Sequence, residues 1–209
     1  MTSSVQSVEN ICNQALGKIG FKRRIGDIYE GSAHAKLCLD FYAQTRDELL
    51  RSNDWGFAER VISATLLKQA PLNGYSPANP WTNAYPPPPW YYEYSYPNDC
   101  IKLRSIKSSQ IFLPNFTPVP NIFDIYNDDS LTVPAKTIVT NMSNAILVYT
   151  GQITDMTTWE PLFAQTLIDT LAQKLAPALA KLDQGGDAAE KEEMQDKAID
   201  SISAARMQG

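Results

Sequence analysis

Few side chains in this sequence could do chemistry, and they are scattered. The chain has one histidine, His34, and three cysteines, Cys12, Cys38 and Cys100. A structural zinc site takes four Cys or His ligands, usually in closely spaced pairs, and these cysteines lie far apart. We therefore expect no metal site. Because the cysteine count is odd and the first residues carry no secretory signal, we expect reduced thiols, with Cys12 and Cys38 buried on helix faces.

Motifs for catalysis and for cofactor binding are missing from the sequence. It has no phosphate-binding loop of the G-x-x-x-x-G-K-[ST] type, no G-x-G-x-x-G and no G-x-S-x-G. His34, the sole candidate for a histidine-based triad, is expected on a helix surface. The acidic pairs Asp27 with Glu30 and Asp128 with Asp129 are expected in solvent-facing loops. We predict a protein that is not an enzyme, with no catalytic, cofactor-binding or metal-binding residues.

The charge of the chain argues against tight DNA binding. Its formal net charge is −5, whereas affinity for DNA depends largely on cations that neutralise phosphates. The single cationic cluster is Lys22, Arg23 and Arg24. It is most simply a solvated helix end that complements the helix dipole, and these three residues are otherwise the candidates for contact with DNA or with a partner protein.

An unusual run, "YPPPPWYYEYSYPNDC", spans residues 85–100. Four consecutive prolines predict an extended polyproline II arm that loses little entropy on binding. Tryptophan and tyrosine are common interface anchors. One interpretation is contact with a neighbouring subunit or partner, and the other is packing over the protein's own β-rich domain. The candidate contact residues are Trp81, Tyr85, Trp90, Tyr91, Tyr92 and Tyr94.

Apolar spacing predicts helices at both ends of the chain. A capping-box pattern, Ser3 with Gln6, is expected to start the first helix and Gly20 to stop it. Ser32 is expected to cap a second helix over about 32–52. A third helix is predicted from about 158, with Pro177 expected to kink it or end it early. A last helix begins near residue 187, with an apolar face of Met194, Ala198, Ile202 and Ala205.

Between these helices the sequence changes character, with most of the prolines and with short β-type runs. "CIKLRSIKS", "IFDIY", "KTIVT" and "AILVYTG" read as strands separated by turns such as "YNDDS" and "TNMSN". The predicted class is α+β. Residues 1–57 and 155–209 would form a helical core, and residues 58–154 a β-rich insertion built as a meander or small barrel, with an extended loop over 71–97. No stretch is long and apolar enough to span a membrane.

Three landmarks resemble podovirus-type head-to-tail adaptor proteins, the tail tubular protein A family. The first is "ICNQALGKIG" followed by "IGDIYEGSAHAKLCLDFYAQTRDELLRSNDWGFA". The second is "YSYPNDCIKLRSI", and the third is "AILVYTGQITDMTTWEPLFAQTLIDTLAQKLAPAL". They stand in the family's order over nearly the whole chain, while the run over residues 72–94 matches no family motif.

The resemblance implies a structural protein of the virion, assembled in the cytoplasm of a host bacterium. Such adaptors form a homo-oligomeric ring, usually of twelve copies, beneath the portal protein, and join it to the tail tube or nozzle. Double-stranded genome DNA passes through the ring without sequence-specific binding. No cofactor and no membrane are involved. We expect adaptor monomers to stay apart until the portal templates the ring.

Other functions are kept as alternatives. A tail-completion or stopper protein of the same connector would bind a different neighbour. A cell-wall-degrading virion enzyme would use the aromatic run to stack on glycan, with Glu93 and Asp99 as its acids. A non-viral helical scaffold would require the landmarks to be coincidental.

Overall fold

A computed structural model describes residues 7–22, 24–108 and 122–181 of the chain. The fold is α+β, with helices and two antiparallel sheets. It divides into two compact units. One is made of residues 1–49 and 155–209, and the other of residues 50–154. We call them the helical unit and the β unit.

The first helix of the helical unit, α1 (Val8–Lys18), begins and ends with hydrogen-bonded caps. The Ser7 hydroxyl accepts a hydrogen bond from the Asn10 amide at 3.2 Å. The predicted cap at Ser3 is therefore wrong, and Ser3 and Gln6 lie outside the described residues. Gly20 has φ +93°, and the Phe21 amide donates to the Leu16 carbonyl at 3.1 Å. This left-handed glycine ends the helix, as predicted.

Two longer helices complete the described part of this unit: α2 (Ala33–Ser52), whose last residues belong to the β unit, and α3 (161–181). Ser32 caps α2, as predicted, by accepting from the Ala35 amide at 3.2 Å. Pro177 does not end α3, which continues to residue 181, and its ring stands on an exposed face. The predicted helix after residue 187 lies outside the described residues.

Apolar faces of the three helices form the core of the helical unit. The buried side chains recur at helical spacing and include Ile11, Leu16, Cys38, Phe163, Leu167, Leu171 and Leu175. Two ion pairs at the surface also join the helices, Lys18 with Asp169 and Lys174 with Glu48. Cys12 and Cys38 are fully buried, as predicted, and the hydrogen bond between their thiols, together with burial, raises the pKa of Cys12.

In the described part of the β unit, residues 50–108 and 122–154, there are seven strands. They are β1 (Glu59–Ser63), β2 (Leu66–Gln69), β3 (Tyr92–Ser95), β4 (Cys100–Ser108), β5 (Phe123–Asp128), β6 (Ala135–Thr140) and β7 (Ala145–Gly151). The sheet orders are β1-β7-β4 and β2-β3-β6-β5, with every pairing antiparallel. The last four strands confirm the four predicted runs. The first three were not predicted.

The topology differs from the predicted meander or small barrel, because β7 pairs with β1 and β4, which are distant in sequence, in a sheet of its own. Both sheets contribute to one core, in which Tyr94 of β3 and Ile138 of β6 lie with Leu103 of β4 and Leu147 of β7. The β unit is therefore two sheets that share an apolar interior.

Candidate partner-binding surface

The segment between β2 and β3, residues 70–91, carries most of the candidate aromatic residues. We call it the aromatic loop. The Trp81 indole donates to the Pro86 carbonyl at 2.9 Å, and the Tyr75 hydroxyl donates to the same carbonyl at 3.0 Å. The Tyr75 and Tyr85 rings meet edge to face with centroids 5.9 Å apart. These contacts fold the loop on itself.

The proline run inside this loop turns instead of running straight. The Trp90 amide donates to the Pro87 carbonyl at 3.0 Å, which closes a turn over residues 87–90. The prediction of an extended polyproline II arm through these four prolines is therefore wrong. Prolines lack an amide donor but keep their carbonyl acceptors, and here the Pro86 and Pro87 carbonyls receive the donors that shape the loop.

Both ends of the loop are tied to the β unit. The Ala70 amide donates to the Tyr91 carbonyl at 2.8 Å, and the Tyr91 amide donates to Asn141 Oδ1 at 2.9 Å. Near the middle of the loop, the Asn83 carbonyl accepts from Ser130 Oγ at 3.2 Å. Much of the aromatic run thus packs on the protein itself, which was the second of the two interpretations of the run.

Two of the six candidate contact residues are not available at the surface. Tyr94 is 2% exposed in the core, and its hydroxyl donates to the Met142 carbonyl at 2.9 Å. Tyr92 is half-buried and stacks on Tyr94 with centroids 6.2 Å apart. Both belong to strand β3, whose register places them against the core, so we withdraw them as candidate contacts.

The other four candidates lie in the aromatic loop at different depths. Tyr85 and Trp90 are half-buried. Trp81 is 43% exposed and Tyr91 is 51% exposed. The Tyr91 side chain is exposed, while its backbone is held by hydrogen bonds to Ala70 and Asn141. Tyr91 is therefore the best placed of the six to contact another molecule.

Exposed apolar residues concentrate in the β unit. Among the described residues, ten of the thirteen exposed large hydrophobic side chains lie in residues 50–154. Four of the ten form a group that we call the apolar edge: Val61 and Ile62 of β1, and Leu66 and Leu67 of β2. Each of these strands is the outermost strand of its sheet. An exposed apolar edge strand can pair with a strand of another chain.

A buried group of charged side chains lies on β2, β3 and β5. Glu93 has no exposed side-chain surface, and the Lys68 ammonium lies 3.6 Å from its Oε2. The Tyr126 hydroxyl donates to that same oxygen at 3.0 Å. Lys68 also pairs with Asp128 and donates to Ser130 at 2.8 Å. We call these five residues the carboxyl cluster, and its Ser130 is the residue that contacts the aromatic loop.

The two acids of this cluster have opposite pKa shifts. Burial and the neighbouring Asp128 raise the pKa of Glu93. Burial also acts to raise the pKa of Asp128, but hydrogen bonds from Lys68 and Ser130 outweigh it and hold that pKa at about 2. A single lysine thus faces two carboxyl groups, whose pKa values are shifted in opposite directions. The expectation that Asp128 faces solvent is therefore wrong, and the spacing of residues in the sequence did not indicate this cluster.

The residues behind the family resemblance contact one another in the β unit. Arg51 of the first landmark donates to the Ile101 carbonyl of the second at 2.7 Å. Arg104 of the second donates to the Trp55 carbonyl of the first at 2.7 Å. We call the contacts that join the three landmarks the landmark junction.

The third landmark joins the same junction through Asp99. The Tyr149 hydroxyl donates to Asp99 Oδ1 at 2.9 Å, and the Gln152 amide donates to the Asp99 carbonyl at 2.7 Å. Burial and the Asp99 carboxylate raise the pKa of Tyr149 to about 12. At Gly151 a Cβ atom would lie 2.9 Å from Arg60 Cγ, so this position favours glycine.

The cationic candidates lie in the connector after α1. Lys22 and Arg24 are exposed, and Arg23 lies outside the described residues. Arg24 also lines a polar groove of about 560 Å³ beside α1. Asn13 holds the connector, because its side chain exchanges two hydrogen bonds with the backbone of Ile25, at 2.8 and 2.9 Å. Contact of these cations with DNA or a portal protein stays a prediction.

The acids proposed for the enzyme alternative do not share an open cleft. Glu93 is fully buried, and Asp99 is engaged in the landmark junction. His34 is half-buried, with its ring edge-on to Phe21 at 4.8 Å. In the described ranges no group of three or more His, Cys, Asp or Glu side chains could hold a metal ion, and no helix there has the length and apolarity to cross a membrane.

Comparison with known proteins adds no relative to these observations. No protein-family model matches the sequence, and no curated protein matches it either.

Proposed function

We propose that this chain is a structural head-to-tail adaptor of a tailed phage. In this proposal it forms a ring beneath the portal, usually of twelve copies, and joins the portal to the tail while genome DNA passes through. It acts by assembly and has no catalytic step. Its place is the virion, and it is made in the cytoplasm of the host bacterium.

The landmark junction is the observation that carries the proposal. Arg51 contacts Ile101 and Asp99 contacts Tyr149, and each pair is 50 residues apart in sequence. With the bond from Arg104 to Trp55, these contacts join residues of all three landmarks. These contacts support the view that the landmarks together specify one structural unit, as a family pattern would.

The arrangement of surfaces fits the task of an adaptor, which must bind different neighbours. We propose that helices from both ends of the chain form one binding body and that the β-rich segment is an insertion between them. In this arrangement the helical unit packs around the ring and against the portal. The apolar edge and Tyr91 of the β unit then face the tail protein.

Electron microscopy tests the proposal directly. The purified chain is mixed with portal rings from the same phage genome and, separately, with its tail tube protein. We expect an added ring on the portal, whereas light scattering of the chain alone should show monomers. No added density on the portal at micromolar concentrations would contradict the proposal. Binding to the tail tube without binding to the portal would favour the tail-completion alternative.

A further inference from the structure

An apolar groove of about 880 Å³ lies between α2 and α3 in the helical unit. Leu37 and Phe41 of α2 line it together with Pro177 and Ala178 of α3. The first turns of α2 and the last turns of α3 face the same space, so the two helices run antiparallel there. A groove of this kind between two helices accepts the apolar face of a third helix.

Lysines border this groove. Lys36, Lys174 and Lys181 all line it. Lys174 pairs with Glu48, but among the described residues Lys36 and Lys181 have no acidic partner within ion-pair distance. An occupant with an apolar face and acidic flanks would therefore complement the groove in both polarity and charge.

The chain itself supplies such a segment directly after α3. Residues 187–205 contain six acidic and two basic residues, and their spacing predicts a helix with Met194, Ala198, Ile202 and Ala205 on one face. The α2 positions that line the groove run from Ala33 to Gln44. This stretch and residues 194–205 are each about 16 Å long as helix, so the apolar face matches the groove in length.

The connection between α3 and this segment is also suitable. Lys181 lines the groove, and residues 182–186 follow it as "LDQGG". Helices that pack as neighbours are commonly joined by two to eight residues, and two glycines readily adopt the backbone angles of a reversal. We propose that residues 187–205 occupy the groove between α2 and α3 of the same copy. This proposal does not depend on the adaptor function.

Carbodiimide cross-linking of the full-length chain tests it. An equal mixture of ¹⁴N- and ¹⁵N-labelled protein is treated, and cross-linked peptides are identified by mass spectrometry. We expect links from Lys36 or Lys181 to acids within residues 187–200, joining peptides of the same isotope only. Links in mixed-isotope pairs would overturn the assignment to the same copy. The absence of links from these lysines to the segment would overturn occupancy altogether.

A pair of variants tests the apolar contact independently. Ile202→Asp places a charge on the apolar face, and Ser203→Asp places the same charge on the opposite face of the predicted helix. We expect Ile202→Asp to speed amide hydrogen exchange across residues 187–205 at least tenfold and to remove the cross-links, while Ser203→Asp leaves both unchanged. Equal exchange rates in the two variants and in the native chain would overturn the proposal.

Discussion

At the residue scale, Glu93 belongs to a cluster of charged side chains that forms only when strands pair. The spacing of residues in the sequence does not indicate this cluster. Glu93 stands between Tyr92 and Tyr94, and an alternating strand would place it on a solvated face. In the structure both faces of β3 are covered, because Lys68 is its partner in register on β2 and Asp128 approaches from β5. The three residues come from distant runs, so only the pairing of the strands reveals the cluster.

The pKa shifts in this cluster affect stability in opposite directions. The pKa of Glu93 is raised above its ordinary 4.5, so its contribution is fully present below that pH and is lost as the pH rises through the native pKa. The pKa of Asp128 falls from 3.8 to about 2. Its contribution is present above pH 3.8 and is lost as the pH falls toward 2. Acid below pH 4 therefore weakens the contact between Asp128 and Lys68.

Replacing Glu93 with Gln should stabilise the protein at high pH. The amide keeps the shape of the protonated carboxyl, accepts from Tyr126 and removes a buried charge that competes with Asp128 for Lys68. We expect a gain on the order of 1 kcal/mol in the free energy of unfolding at pH 8, and little change at pH 4. Urea unfolding at a series of pH values measures it.

Asp129→Asn is the matched control, because Asp129 is an exposed neighbour of the cluster. It should leave the pH profile within about 0.5 kcal/mol of the native one. A loss of stability in Glu93→Gln that is the same at every pH would contradict the argument, since it would indicate a purely structural defect.

At the element scale, the helix ends and strands that were predicted correctly are those with signals in their own local sequence. Ser32 caps the start of α2 and Gly20 ends α1 as expected, because caps act through residues close to them in sequence. The strands β4 to β7 have six to nine residues each, and β6 contains four consecutive β-branched residues. By contrast, β1 and β2 have five and four residues. Their existence depends on pairing with β7 and β3, which lie far along the chain, so local pattern could not identify them.

The start of the β unit also depends on long-range contacts. The sequence placed the β-rich segment at residue 58, whereas the compact unit begins at Leu50. Arg51 donates to Ile101, and Lys102 pairs with Asp54 at 2.9 Å. These bonds attach the last turn of α2 and the following loop to β4. A helix pattern cannot show that its own last turn belongs to another unit.

The apolar edge leads to a prediction about assembly. Val61 is 56% exposed, and its partner in register, Val148 of β7, is 4% exposed. We expect Val61→Lys with Leu66→Lys to change the free energy of unfolding by less than about 0.5 kcal/mol, since neither side chain is buried. The same variant should weaken binding to a partner at least tenfold, because lysines on an edge strand oppose strand pairing. Sedimentation with the tail tube protein measures binding.

Val148→Lys provides the contrast, because the same change on the neighbouring strand places a charge in the interior. It should destabilise the fold by several kcal/mol. If the variant with lysines at positions 61 and 66 bound its partner as tightly as the native chain, the apolar edge would not be the interface.

At the scale of the whole molecule, the two units differ in how the chain builds them. Residues 50–154 form the β unit as one continuous stretch, whereas the helical unit combines residues 1–49 with residues 155–209. The β unit also has its own core, which includes Tyr94, Ile138 and Leu147. A continuous stretch with its own core meets the conditions for independent folding. The helical unit, by contrast, forms only when its two separate segments associate.

We therefore predict that a fragment of residues 50–154 folds alone and that residues 1–49 alone do not. In a fragment that lacks α3, Ile11 and Leu16 of α1 would lose much of the apolar surface that covers them. Short helices on their own also have marginal stability in water. The fragment should unfold cooperatively in urea with a β-type circular dichroism spectrum. As a control, Tyr94→Ala in the fragment removes a large buried core side chain and should abolish the transition. A fragment that shows no cooperative transition, while the full chain does, would mean that the β unit depends on the helices for its stability.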